Sequence, residues 1–221
     1  MLNVIIPVHN GERYLLQAVQ SVFEQRFPLE LRIVDDGSTD GTAALLEQLQ
    51  PPDWVKLSWS SQPKAGPSAA RNRAIRAGSG GFIVFLDSDD VLLPGVLSNL
   101  LQQSELYPND VIWAKTQWTD LDLVPFQHPQ YCNWQIQMGA AVWPRSVFNT
   151  VGLLDEALQF NEDTDLFMRC LEADLTLRKF DVLAQFYRRH PNNLTKDLAH
   201  SQKAMVSAVH RSLQRQREKR Q

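Results

Sequence analysis

The chain has 221 residues, of which 43% are hydrophobic and 21% charged, and this composition suits one packed α/β domain. No stretch approaches the roughly 18 uncharged apolar residues that span a bilayer. The first residues carry no signal-peptide pattern, so we expect a cytoplasmic protein, free or held peripherally at the inner membrane face. The net charge is −3, but residues 196–221 contain seven Lys or Arg against two acids. The remaining body is therefore acidic, and nucleic-acid binding is not expected.

Apolar runs alternate with helix-period patterns through the first half of the chain. Strands are predicted at residues 2–7, 31–34, 54–59 and 82–86. Helices are predicted at residues 12–25, 43–49, 69–77 and 94–104, with Ser68 as the N-cap of the third. This alternation is typical of parallel βαβ units. It predicts an α/β fold with a Rossmann-like, doubly wound, mainly parallel sheet flanked by helices.

Polar residues follow three of the predicted strands. They are His9 and Asn10 after the first strand, Asp35 and Asp36 after the second, and Asp87 and Asp89 at the end of the fourth. The ligand crevice of an open parallel sheet lies outside the carboxyl ends of its strands. All these side chains fall on that edge, which predicts a binding site there.

Three carboxylates lie within residues 87–90, directly after the apolar run of the fourth strand. Such crowding favours a hard divalent cation with oxygen ligands between the carboxylates. The alternative is a strand end that turns into solvent, with Asp90 capping the next helix. The concentration of polar residues on one sheet edge favours the metal site.

The loop at residues 35–42 has nearly the spacing of a calcium-binding helix–loop–helix, but a strand precedes it where that motif requires a helix. We therefore expect Asp35 and Asp36 to face a sugar or a base, while one of the polar residues at 38–40 caps the next helix.

No glycine-rich phosphate loop follows the first strand, so phosphates must be neutralised by other means. A metal on Asp89, helped by Lys64 or Arg71, would do this. The alternative for Arg71 and Arg73 is that both are ordinary charges on a helix surface.

Several ordered motifs give the chain a specific resemblance to a known family. They read VIIPVHN at 4–10, IVDDGSTDGT at 33–42, GPSAARN at 66–72 and FLDSDD at 85–90, with further motifs at 138–148, 151–155, 161–166 and 187–190. Across about residues 2–195 the chain resembles a family 2 glycosyltransferase with the GT-A fold. The resemblance implies a single catalytic domain at 1–195, with a nucleotide-sugar-binding half at 1–90 and an acceptor-binding half at 91–195.

The resemblance also implies roles on the donor side. Asp35 and Asp36 resemble residues that contact the uracil and ribose of a nucleotide-sugar. Asp87 and Asp89 resemble the Asp-x-Asp pair that holds the ribose and the Mn²⁺ or Mg²⁺ bridging the diphosphate, with Asp89 the closer ligand. His190 matches a histidine that in some members reaches the metal or the diphosphate. The residues expected to bind the donor are Pro7, His9, Asn10, Asp35, Asp36, Lys64, Arg71, Asp87 and Ser88.

On the acceptor side, Asp163 resembles the general base of this inverting family. Inversion in one displacement requires a base beside the attacking hydroxyl and a positive charge beside the leaving group. The alternative is that Glu162, Asp163 and Asp165 are plain N-terminal acids that favour the helix dipole. For His190 the alternative is an exposed loop histidine.

The segment 111–145 is where we expect the acceptor pocket, because aromatic faces stack on the apolar surface of sugar rings. It contains Trp113, Trp118, Trp134 and Trp143, of which at least two are expected in the core. Trp134 and Glu162 are the predicted acceptor residues. No Gln-x-x-Arg-Trp signature follows Asp163, so a single-addition transferase is favoured over a polysaccharide synthase.

The tail at 196–221 forms a separate basic segment. Apolar residues recur at helical spacing at 198, 205, 206, 209 and 213, which predicts a helix with a narrow apolar stripe. One alternative is that the stripe packs on the domain or on a second subunit, as in a homodimer. The other is that it lies on an anionic membrane surface near a lipid-linked acceptor.

The function that we predict is metal-dependent, inverting transfer of a sugar from a nucleotide-sugar, first of all a UDP-sugar, to a hydroxyl acceptor. The acceptor would be a glycan, a lipid-linked sugar or another hydroxyl compound of polysaccharide or glycolipid biosynthesis. The alternatives are a nucleotidyltransferase-like enzyme and a non-catalytic module that binds a nucleotide or a glycan.

Overall fold

The computed structural model describes residues 1–134, 137–158, 161–190, 193 and 198–218. Within this part of the chain, nine strands form one sheet. The strands are β1 (Leu2–Val8), β2 (Leu29–Asp35), β3 (Val55–Ser61), β4 (Phe82–Phe85), β5 (Val91–Leu92), β6 (Val111–Thr119), β7 (Cys132–Asn133), β8 (Ala141–Pro144) and β9 (Leu177–Arg188). The helices are α1 (Leu15–Phe23), α2 (Thr42–Glu47), α3 (Pro67–Ala77), α4 (Val96–Leu106), α5 (Arg145–Val151), α6 (Glu162–Glu172) and α7 (Leu198–Glu218).

The strand order across the sheet is β3-β2-β1-β4-β8-β6-β9-β5, and β7 pairs with β6. Strands β1 to β4 are parallel, β8 runs antiparallel between β4 and β6, and β9 is parallel to β6. The sheet is therefore mainly parallel, which confirms the predicted fold class. The order of winding reverses between β1 and β4, so the carboxyl ends of these two strands flank a switch point.

The central strands are apolar because helices cover both faces of the sheet. In β1, Val4 and Ile6 belong to one buried cluster, which also contains the inner residues of α1 and α4. Ile5, which points to the opposite face, belongs to a second cluster with the inner residues of α3, α5 and α6. Since successive side chains of a strand alternate between faces, a strand covered on both sides reads as a continuous apolar run.

Two predicted helix caps are wrong. Helix α3 begins at Pro67 after Gly66, whose φ of 97° makes the turn, and the buried Ser68 Oγ has no hydrogen-bond partner among the described residues. Asp90 does not cap α4, which begins only at Val96; its Oδ1 accepts a hydrogen bond from the backbone N–H of Arg188 instead. In both places the chain makes a turn before the helix that the sequence pattern does not show.

Helix α7 packs against α6, but not through residues 206, 209 and 213 of the predicted apolar stripe. Arg215 pairs with Glu172 and Asp165, and Arg211 pairs with Asp155. Apolar residues of α7 remain exposed on its outer side, namely Val206, Val209 and Leu213. The side chains at 198 and 205, like the predicted boundary at residues 195 and 196, lie outside the described part of the structure. Among the described helices, none is long and apolar enough to cross a membrane.

Candidate active site

The loops after β1 and β2 are joined by hydrogen bonds at the carboxyl edge of the sheet. His9 Nδ1 lies 2.9 Å from the backbone oxygen of Asp36. The backbone N–H of Asn10 donates to Ser38 Oγ at 2.9 Å, and Asn10 Oδ1 accepts from the N–H of Thr39 at 2.8 Å. Asn10 has a φ of 54°, a left-handed conformation that Asn tolerates better than most residues. His9 and Asn10 thus hold two loops of the site together.

Asp36 holds a third loop. Its Oδ1 accepts from Gln62 Nε2 and from the N–H of Ala65, both at 2.8 Å, and its Oδ2 accepts from the N–H of Gly66 at 2.7 Å. The segment that it holds carries Lys64, which is exposed. The contact of Asp36 with a base or ribose stays a prediction, whereas its part in ordering this loop is observed.

Asp35 and Gly37 complete this corner of the site. Asp35 is 3% exposed, and its Oδ1 accepts from the N–H of Ser38 at 3.0 Å. Gly37 has a φ of 70°, and a Cβ at this position would lie 2.8 Å from the backbone nitrogen of Lys64. Only glycine combines this conformation with so close an approach.

The acidic cluster lies where β4 ends. Asp87, Asp89 and Asp90 each offer a carboxylate oxygen, and these oxygens lie within 4.8 Å of one another. Burial, followed by the charges of Asp89 and Asp87, raises the pKa of Asp90 well above its ordinary value. The pKa of Asp87, whose side chain is half-buried, is also raised by desolvation of its buried part and by the charge of Asp89, against the opposing charge of Arg71. Closely spaced hard oxygen donors with unfavourable mutual repulsion fit Mg²⁺ or Mn²⁺, so the donor set agrees with the predicted cation.

His190 joins this cluster. Its Nε2 lies 2.8 Å from Asp89 Oδ2, its side chain is 9% exposed, and its ring lies 5.1 Å from that of Tyr14. The alternative of an exposed loop histidine is therefore wrong. Its role as a metal ligand stays a prediction.

Arg188 is a site residue for which the sequence analysis predicted no role. It is 2% exposed, and its Nε donates to the backbone oxygen of Asp89 at 2.9 Å. Its guanidinium also lies 4.6 Å from the ring of Tyr14. Arg188 therefore fixes the backbone of the acidic turn. A buried arginine has no signal in a single sequence that separates it from the more common exposed ones.

Arg71 is buried, so the alternative of a surface charge is wrong for this residue. Its terminal nitrogens donate to Asp87 Oδ1 at 2.6 Å and to Glu162 Oε1 at 2.7 Å. Arg73, on the same helix, is exposed and donates to Ser60 Oγ at 3.2 Å, as the surface alternative predicts. Arg71 thus connects the acidic turn to the first residue of α6.

The three acids at the start of α6 have different surroundings. Asp163 Oδ1 accepts from the N–H of Thr164 at 2.6 Å. Burial, followed by the charge of Glu162, raises the pKa of Asp163 to about 7. Asp165 is 2% exposed and is paired with Arg169 and Arg215, which makes it a structural residue. Asp163 therefore differs from a plain helix-terminal acid, which would be exposed and ionised well below neutral pH.

The tryptophans of residues 111–145 differ in their burial. Trp143 is fully buried, and Trp113 packs against the second cluster with its ring 5.1 Å from Phe167. Trp134 Nε1 lies 3.3 Å from the backbone oxygen of Phe180, and the Nζ of Lys115 lies 4.5 Å from the Trp134 ring centre. The two expected core residues are thus found, and the acceptor role of Trp134 stays a prediction.

The two remaining predicted donor residues lie near the switch point. Pro7 is buried within β1, and the half-buried Ser88 lies in the acidic turn between Asp87 and Asp89. Neither shows a contact that tests its predicted role.

The chain is similar to proteins of one known family. The family model described as glycosyl transferase family 2 matches residues 3–154. A GalNAc(5)-diNAcBac-PP-undecaprenol beta-1,3-glucosyltransferase of Campylobacter jejuni is 38% identical over 105 residues, which are 47% of this chain and 34% of that protein. The poly(ribitol-phosphate) beta-N-acetylglucosaminyltransferase TarS of Staphylococcus aureus is 28% identical over 169 residues, 73% of this chain and 30% of TarS. The chain thus spans about a third of the length of these curated relatives.

Solved structures show the same fold. Staphylococcus aureus TarS in complex with UDP-GlcNAc has a TM-score of 0.72 at 22% identity, covering 89% of this chain and 60% of that one. The Pyrobaculum calidifontis mannosyltransferase PcManGT, in complex with GDP-Man and Mn²⁺, has a TM-score of 0.78 at 16% identity, covering 96% of this chain and 64% of that one. This likeness confirms the predicted glycosyltransferase fold.

Proposed function

Because this chain belongs to glycosyl transferase family 2, we propose that it transfers a sugar from a nucleotide-sugar to a hydroxyl acceptor with inversion. The observation that carries the proposal is the link through Arg71, which bonds Asp87 of the acidic cluster and Glu162, the residue directly before the half-buried carboxylate Asp163. A UDP-sugar is the first candidate, since two of the similar structures contain UDP or UDP-GlcNAc.

The donor side is built around the acidic turn. Asp89 and Asp87 would hold Mn²⁺ or Mg²⁺, with His190 beside Asp89 at 2.8 Å. When bound, the cation supplies positive charge that stabilises the nucleoside diphosphate as it leaves. Lys64, exposed on the loop that Asp36 holds, is a second positive charge for the phosphates. Asp35 and Asp36 line the adjoining corner, where the base and ribose would bind.

The acceptor side is built around Asp163. Its carboxylate accepts the proton of the acceptor hydroxyl while the hydroxyl oxygen bonds to the anomeric carbon and the bond from that carbon to the diphosphate breaks. A general base works best when its pKa lies near the working pH. The pKa of about 7 that burial gives Asp163 meets this condition.

The two rival functions make different products. A nucleotidyltransferase would release pyrophosphate from a nucleoside triphosphate, and a binding module would release nothing. The family match favours sugar transfer over both. Incubation with UDP-sugars and separation of the products by chromatography distinguishes the three, because only sugar transfer or its hydrolytic side reaction yields UDP.

For the acceptor, we propose a glycan or lipid-linked sugar, reached from a membrane surface through α7. The exposed apolar side chains of this helix lie opposite the side that pairs with the domain. Residues 196–221 carry an excess of basic residues, which complements an anionic membrane. Co-sedimentation with phosphatidylglycerol vesicles should fall when Val206, Val209 and Leu213 are replaced by Ser. Unchanged co-sedimentation would overturn the membrane contact. If the wild type is a dimer and this variant is a monomer, the exposed side chains of α7 instead pack against a second subunit.

The donor site is tested by thermal unfolding with nucleoside diphosphates, each with and without Mn²⁺. A ligand at about a hundred times its Kd adds roughly 2.7 kcal/mol to the free energy of unfolding. We expect stabilisation by UDP that requires Mn²⁺ and is lost in Asp89→Asn. Asp53→Asn, an exposed carboxylate before β3 at the opposite edge of the sheet, is the matched control and should respond like the wild type. Absence of any nucleotide effect in the wild type would overturn the proposed donor site.

A further inference from the structure

Arg71 is the common partner of two carboxylates that come from distant parts of the chain. Asp87 lies 16 residues away and Glu162 lies 91 residues away, and each accepts one hydrogen bond from a terminal guanidinium nitrogen. Asp87 belongs to the donor side of the site. Glu162 immediately precedes Asp163 on the acceptor side. One guanidinium therefore joins the two sides.

The two pairs differ in their access to solvent. The side chains of Arg71 and Glu162 are 6% and 14% exposed, whereas that of Asp87 is 46% exposed. Arg71 Nε is buried without a hydrogen-bond partner among the described residues, so the two carboxylates determine how the guanidinium is oriented. A ligand can reach Asp87 from solvent. The ion pair of Arg71 with Glu162 is more deeply buried. Breaking it would leave a buried charge without its partner, which costs free energy.

The first turn of α6 begins from an unusual backbone conformation. Asn161 has a φ of 58°, and Asp163 satisfies the N–H of its own neighbour Thr164. The backbone N–H groups of a first helical turn have no partners within the helix. The hydrogen bond that Arg71 donates to Glu162 ties this turn to α3. The bond that Arg71 donates to Asp87 extends the link to the turn after β4.

We propose that Arg71 and Glu162 are positioning residues that couple the binding of a donor to the placement of Asp163. The coupling rests on the proposed function, since it requires that the donor diphosphate or its cation engages Asp87. Once Asp87 shares its negative charge with that cation, it attracts the guanidinium less, and Arg71 bonds more strongly to Glu162. The first turn of α6 is then held more firmly, with Asp163 in place for the acceptor.

Hydrogen exchange tests the coupling without knowledge of the acceptor. The probe is UDP with Mn²⁺, and the readout is the exchange rate of the amides of residues 164–168. We expect UDP with Mn²⁺ to slow this exchange by about threefold or more in the wild type. In Glu162→Gln, which keeps the shape but removes the charge, the slowing should disappear while UDP still binds. Arg73→Gln, on the exposed face of the same helix, is the matched control and should behave as the wild type does.

Kinetics of UDP-sugar hydrolysis supply a second readout. Glu162→Gln should lower kcat by about tenfold and leave KM for the donor within about threefold, because Asp163 is misplaced while the donor site is intact. Arg71→Lys keeps the charge but cannot bond both carboxylates in the same way. Its effect on kcat should not add to that of Glu162→Gln when the two substitutions are combined, because both break the same contact.

The outcomes separate the coupling from the proposed function. Slowed exchange that persists in Glu162→Gln, or effects on kcat that add in the double variant, would overturn the coupling while leaving the donor site intact. Failure of UDP to bind the wild type with Mn²⁺ would overturn the proposed donor site, and the coupling with it.

Discussion

His190 Nε2 lies 2.8 Å from Asp89 Oδ2, although the two residues are 101 positions apart in the chain. The short strand β5, which directly follows the acidic turn, brings them together by pairing antiparallel with β9, where Val91 lies opposite Phe186. Arg188 strengthens the same junction through its bond to the backbone of Asp89. The position of the histidine thus depends on strand pairing and not on the acidic turn alone.

We expect His190→Gln to weaken Mn²⁺ binding by about tenfold or more, because residues in or next to a metal's coordination shell typically contribute this much. The measurement is the Mn²⁺ concentration that gives half of the UDP-induced rise in melting temperature. His210→Gln is the control, since this histidine lies exposed on α7. An Mn²⁺ requirement equal to that of the wild type would remove His190 from the metal site.

The pH dependence of activity should follow the ionisation of Asp163. Its carboxyl must be deprotonated to accept a proton, and its pKa is raised to about 7. We therefore expect the rate of UDP-sugar hydrolysis to rise with pH and to reach half of its maximum near pH 7. Asp163→Asn should abolish this activity and still bind UDP with Mn²⁺. Activity within a few-fold of the wild type in that variant would contradict the role of Asp163 as the base.

Glu162 influences the same pH profile. Its negative charge is the second cause of the raised pKa of Asp163, after burial. We expect Glu162→Gln, whatever its effect on the maximal rate, to move the midpoint of the profile to lower pH. A midpoint that stays in place would mean that burial alone sets the pKa of Asp163.

Asp163 should also make the fold less stable at neutral and higher pH. The pKa of its carboxyl is about 7 in the folded chain and 3.8 in the unfolded chain, so the folded chain binds this proton more tightly. The folded state therefore holds more protons between about pH 4 and pH 7, and this group's contribution to stability falls as pH rises through that range. We expect Asp163→Asn to melt at a higher temperature than the wild type at pH 8, with a smaller difference at pH 5. An equal difference at both pH values would contradict the raised pKa.

The alternation of strands and helices predicts that the polar residues after β1, β2 and β4 gather at the carboxyl edge of the sheet, and the loops after β1 and β2 are hydrogen-bonded to each other there. Apolar runs such as that of β1 and β4 are strong local signals, because a strand covered on both faces cannot carry polar residues in its interior. The acidic turn and the acids of α6 also stand out in the sequence, because their carboxylates are closely spaced.

The contacts between these groups were not predictable from the sequence. Arg71 and Arg188 resemble surface residues in the sequence, and their burial results from packing between segments that are far apart in the chain. The role expected of Ser68 failed because Gly66 makes the turn one residue before Pro67, and local propensity does not show this. Charge partners and burial are properties of the folded chain, so a pattern of residues gives them only when the topology is already known.

Trp143 should behave as a core residue and not as part of an acceptor pocket. It is fully buried, its Nε1 donates to the backbone oxygen of Met138 at 3.2 Å, and its ring contacts Phe167. We expect Trp143→Ala to lower the free energy of unfolding by about 3–5 kcal/mol. Trp59, which is 37% exposed on β3, is the control, and Trp59→Ala should cost about 1 kcal/mol or less. Equal costs for both, measured by urea unfolding, would contradict this assignment.

Arg215 should fasten α7 to the domain. Its guanidinium donates to both oxygens of Glu172 at 2.8 and 3.0 Å and to Asp165 Oδ1 at 3.0 Å. Because Asp165 and Glu172 are almost fully buried and Arg215 is partly exposed, we expect Arg215→Ala to cost about 1–3 kcal/mol, less than a fully buried pair. The detached helix should then be removed early by proteinase K, as mass spectrometry would show. Arg217→Ala, on an exposed side chain of the same turn, should leave the rate of cleavage unchanged. Equal protection of α7 in both variants would contradict the role of Arg215 in holding the helix.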